Sequence, residues 1–141
     1  MKTRTAITLA AILIVLQYGM AGEQAKRFAT EEAKIEFAKR NLMKGLKSDN
    51  AGVVESAMRV TALMKMRYPS TDVSYLVREI GEIAAEHPSG KMRYKAYITL
   101  NICEDPVWYV QEQSVRTADD LNFFRNASAR MQQKLLGVNS L

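Results

Sequence analysis

The chain holds one cysteine, one histidine and three prolines in 141 residues, and each shortage excludes something. Cys103 alone cannot form an internal disulfide, so stability has to come from packing. It falls on the apolar side of its predicted helix and reads as a small buried hydrophobe. A nucleophile–histidine pair or a His-based zinc site has one candidate, His87. It stands before Pro88 at the carbonyl end of a predicted helix, where a cation is favoured, and reads as a cap or surface group. No glycine-rich phosphate loop, CxxC pair or nucleophile elbow occurs. Strand-like alternation is also missing: Val, Ile and Tyr recur at helical spacings. The single long apolar run is Ala6 to Leu16.

That run belongs to a leader. Lys2 and Arg4 precede it, and Gly19-Met20-Ala21 supplies small residues for cleavage, so residues 1–21 read as a secretory signal peptide. The run is too short for a comfortable membrane span of about 20 residues. The expectation is a periplasmic or secreted protein with no membrane segment after cleavage. Removing Lys2 and Arg4 from 20 basic residues leaves 18 against 15 acids, a net of +3. These charges are interleaved, which is a solvated surface and no nucleic-acid footprint. Hydrophobic content of 48% and charged content of 25% suit one globular domain.

After a flexible 22–29 segment, six helices are predicted. Thr30 with Glu31 and Glu32 opens the first, whose stripe is Ile35, Ala38, Leu42 and Leu46. Asn50 or Asp49 caps the second, with Val53, Ala57, Thr61 and Met64 inward and Val54, Met58 and Val60 widening that face, and Pro69 stops it near Arg67. Ser70, Thr71 and Asp72 can cap the third, which carries Val73, Leu76, Val77, Ile80 and Ala84. Ser89 opens the fourth, apolar nearly all round (Met92, Ala96, Ile98, Thr99, Leu100, Ile102, Cys103) and so expected at the centre. Asp105 and Pro106 start a short fifth helix to about Arg116. Thr117 to Asp120 resembles a capping box for the sixth, with Leu121, Phe124, Ser128, Met131 and Leu135 inward. Gly137 ends it, leaving a mobile tail over 137–141.

The second and fourth helices look like one unit used twice. Ala57 falls on Ala96 and Leu63 on Ile102, an offset of 39 residues, within the range of stacked helical pairs. Phe124 and Ser128 repeat the large-then-small pattern of Val53 with Ala57 and Met92 with Ala96. With the Leu46-Lys47-Ser48-Asp49-Asn50 run, this resembles HEAT and armadillo-like repeats, in particular small exported bacterial HEAT-like proteins. The resemblance implies an all-α, short α-solenoid over residues 30–136, about six helices in three stacked hairpins. It also implies a non-enzymatic binding scaffold with a protein partner and no cofactor.

Candidate chemistry is sparse. The carboxylate pairs Glu31-Glu32, Glu104-Asp105 and Asp119-Asp120 lie at helix ends, where acids serve as caps. Met64-Lys65-Met66 invites copper, but residues two apart diverge on a helix, and core filling by Met is expected. Asn126-Ala127-Ser128 matches a glycosylation acceptor inside a predicted helix. Tyr75, Arg78, Trp108, Tyr109 and Glu112 are the expected protein-contact residues, with Tyr94 and Tyr97 as further aromatic candidates, since aromatics and arginine anchor interfaces and alternate helices of a stack would share a face. The alternative is a small exported enzyme or metal-handling protein with a site near His87 or the methionines. Self-association through exposed end helices is a third expectation, making a homo-oligomer.

Overall fold

The computed structural model describes residues 30–116, 118–119 and 121–137. The expected leader over residues 1–21, the 22–29 segment and residues 138–141 of the expected tail lie outside the described residues. The described chain is all-helical, with no strand. The helices are α1 (Glu31–Leu46), α2 (Ala51–Arg67), α3 (Ser74–Glu86), α4 (Gly90–Glu104), α5 (Pro106–Val110), α6 (Gln113–Arg116) and α7 (Phe123–Leu135). None is long and apolar enough to cross a membrane.

The chain parts into two compact units, Met1–Asn41 and Leu42–Leu141. In the first, the Thr30 hydroxyl accepts the Ala33 amide at 3.2 Å. Buried Lys39 pairs with Glu36 one turn back at 2.5 Å.

In the second unit, polar side chains set the helix ends. Asn50 accepts the Gly52 and Val53 amides at 2.9 and 3.3 Å, which decides between it and Asp49. Lys65 donates to the Pro69 and Thr71 carbonyls at 2.6 and 2.9 Å and so ties the turn after α2. Asp72 accepts the Ser74 amide at 2.9 Å. Ser89 and Asp105 cap α4 and α5 through the Met92 and Trp108 amides. Gly137 closes α7 at φ +66°, where only glycine avoids a steric penalty.

Helix α4 is the hub: it packs on α2, α3, α5 and α7. α3 and α4 form a hairpin across His87-Pro88-Ser89, with Leu76, Ile80 and Ile83 buried on α3. α2, α4 and α7 run parallel. Near their amino ends Glu55 pairs with Lys95 and Tyr94 with Ser128; near their carboxyl ends Lys65 acts on Cys103 and Asp105 pairs with Lys134. Gly45 lets the end of α1 approach α2 closely, because a Cβ there would stand 3.0 Å from that of Ala57.

Three sequence readings change. On α2, Ala57 and Thr61 are buried as expected, and Val54, Met58, Ala62 and Met66 are buried with them, but Val53 is 44% exposed. Val54 therefore matches Met92, Met58 matches Ala96 and Thr61 matches Thr99, one residue out of the register read from the alanines. The threonines agree: each hydroxyl donates four residues back, to Ala57 O at 2.8 Å and Lys95 O at 2.9 Å. Second, the fifth helix is broken after Val110. Tyr109 and Val115 are both fully buried, yet six residues apart on a continuous helix they would point roughly 120° apart. The tight Glu112 N–H to Tyr109 O bond of 3.1 Å turns the chain so that both face inward. Third, α7 starts at Phe123, not Leu121, which is 91% exposed. Asp119 accepts the Asn122 amide at 2.9 Å; Thr117 and Asp120 lie outside the described residues. The buried face is Phe123, Phe124, Ala127, Arg130 and Met131, so Ser128 sits at its margin and Leu135 is exposed.

Candidate interaction surface

Charged groups enter the core on their own partners. Lys95 is buried at the seam of α2, α4 and α7, ion-paired with Glu55, its ammonium 5.2 Å from the Phe124 ring centroid. Arg130 of α7 is 4% exposed. Its guanidinium lies 3.7 Å from the Trp108 ring centroid and donates to the Trp108 carbonyl at 3.3 and 3.2 Å and to Gln133 at 3.0 Å. The Trp108 indole N–H returns a bond to the Arg130 carbonyl at 3.3 Å. This reciprocal clamp joins α5 to α7.

The expected contact residues are not equally open to a partner. Tyr75 packs half-buried against the core, and Arg78 is exposed one turn on along α3. Trp108 spends its ring and indole on Arg130. Tyr109 has no exposed surface and cannot touch a partner while folded. Burial pushes its unpartnered phenol up to about 12. Glu112 is half-buried and lines a cleft of about 220 Å³ with Asn126, Ala129, Arg130 and Gln133. α5 lies on α2, α4 and α6, whereas α3 lies on α4.

The residues of the alternative reading are engaged otherwise. His87 Nδ1 accepts the Ser89 amide at 3.0 Å, and Met58, Met66, Met92 and Met131 are buried in the core. Burial pushes the Cys103 thiol up to about 11, against a smaller opposing pull from the Lys65 ammonium. Among the described residues no three His, Cys, Asp or Glu side chains gather as a metal set.

What stands open is one side of the hub. Tyr94 and Tyr97 are 46% and 47% exposed, and Asn101 and Glu104 continue the same line at spacings of four and three. The Tyr94 hydroxyl is held by Ser128 at 2.6 Å. Arg93, also exposed, is pinned at one margin by the His87 and Pro88 carbonyls at 2.6 and 3.1 Å. This spacing is present in the sequence, but Ile98 and Ile102 made α4 look apolar all round. No protein-family model matches the chain, and neither a curated protein nor a solved structure proved similar to it.

Proposed function

We propose that the chain is an exported, non-enzymatic protein-interaction module whose contact face is the open side of α4. The observation that carries this reading is the pair of half-exposed tyrosines on a helix otherwise covered by four neighbours. Rigid aromatic side chains give contact area at small entropic cost, and an exposed aromatic line on the best-anchored helix is a ready anchor. The α3–α4 hairpin and the parallel α2, α4 and α7 support a short HEAT-like stack, in which α5 departs by leaning on α2. Export rests on the leader at residues 1–21 and predicts a mature protein beginning at Gly22, readable by amino-terminal sequencing of exported material.

A photo-crosslinking residue at position 97, with position 78 as the control, tests the face in cells that export the chain. A discrete adduct from 97 and none from 78 is expected. Adducts of equal yield from both, or none from either, would sink the assignment.

A further inference from the structure

We propose that a second copy of this chain docks on the open side of α4, antiparallel, about a two-fold axis. This rests on the interaction reading above and names its partner. The face is ordered by charge: exposed Arg93 stands toward the amino end, Tyr94 and Tyr97 follow, then Asn101, and exposed Glu104 closes the carboxyl end. A two-fold interface brings one patch against itself, each residue meeting the line in reverse order. Reversal sets Arg93 of one copy opposite Glu104 of the other, twice, and Tyr97 opposite Asn101. Eleven residues make about three helical turns, so Arg93 and Glu104 lie along the same margin and meet on one side of the interface. A parallel pairing would instead oppose Arg93 to Arg93. The bonds from Arg93 to the His87 and Pro88 carbonyls fix where its charge stands, and the Ser128 bond fixes Tyr94. The face is thus held in place before it meets its partner, which lowers the entropy lost on docking.

The test is sedimentation velocity over a concentration series on protein purified from the full chain, with helix content followed by circular dichroism. Wild type is expected to run as a dimer that dissociates on dilution. Tyr97→Ala and Glu104→Arg should each abolish the dimer without loss of helix, and Arg93→Glu combined with Glu104→Arg should restore it. Glu104→Arg changes an exposed side chain, so its result stands even if Arg93→Glu disturbs the turn. A wild type that stays monomeric at every concentration overturns the proposal, as does a dimer unchanged by both Tyr97→Ala and Glu104→Arg. A monomer that still yields a discrete adduct with a different protein from position 97 removes the second copy and leaves the interaction reading standing. No adduct at all removes both.

Discussion

The two sides of α4 do opposite work. On one, Met92, Ala96, Ile98, Thr99 and Ile102 are at most 4% exposed, and four helices close over them. On the other, Tyr94 and Tyr97 are ten times as open. Burial is thus decided by which direction the neighbours come from and only secondarily by how apolar a residue is. A tyrosine on α4 stays out while a lysine next to it goes in, because Glu55 reaches Lys95, whereas among the described residues Tyr97 is left 47% exposed.

Substitutions should separate the two sides. The largest effect is expected from Ile102→Ala, which removes a fully buried branched side chain and should cost about 3 kcal/mol in chemical denaturation. A loss under about 1 kcal/mol would mean that the covered side is loosely packed. Next comes Glu55→Ala, which leaves the Lys95 ammonium buried without its partner. Glu55 is 34% exposed and water screens the pair, so the loss should be about 2 kcal/mol, below that for breaking a fully buried pair. Replacing both partners, Glu55→Leu with Lys95→Met, should recover most of it.

A third effect is alkaline. Cys103 is raised from 9.0 to about 11 and Tyr109 from 10.0 to about 12 by burial. The unfolded chain therefore sheds these protons first, and stability is complete below pH 9 and falls as pH rises through 11. The Cys103 share is about 3 kcal/mol, and Cys103→Ala should flatten that part of the pH–stability curve. The smallest effect belongs to the open side: Tyr97→Ala should change stability by under about 0.5 kcal/mol. A loss comparable with that of Ile102→Ala would show that Tyr97 serves the fold.

Much of the helical frame was legible because its signals are local. Asn50, Ser89, Asp105, Pro106 and Gly137 mark ends through their own backbone neighbours, and the stripe of α3 needed nothing beyond spacing. What escaped depends on residues far along the chain. Lys95 and Arg130 look like surface charges until Glu55 and the Trp108 carbonyl arrive from other helices. Trp108 and Tyr109 are adjacent aromatics, and only the break after Val110 decides that Tyr109 faces the core. The candidate site was less legible still. Tyr94 and Tyr97 were visible, but the openness of their side depends on where α7 docks, and local spacing does not encode that.

The parallel course of α2, α4 and α7 also gives this part of the molecule an electrical direction. Aligned peptide dipoles place partial positive charge at the amino ends of helices and negative charge at the carboxyl ends. Here the dipoles of α2, α4 and α7 add, and α3 opposes α4 from across its hairpin. On α4 itself Lys91 and Arg93 lie toward the amino end and Glu104 toward the carboxyl end, so its fixed charges reinforce its backbone dipole, whereas Lys65, Arg67 and Lys134 at the carboxyl ends of α2 and α7 offset theirs. A charged partner approaching in dilute salt is turned toward one orientation before any side chains touch, and added salt removes that guidance within a screening length of about 8 Å at physiological strength.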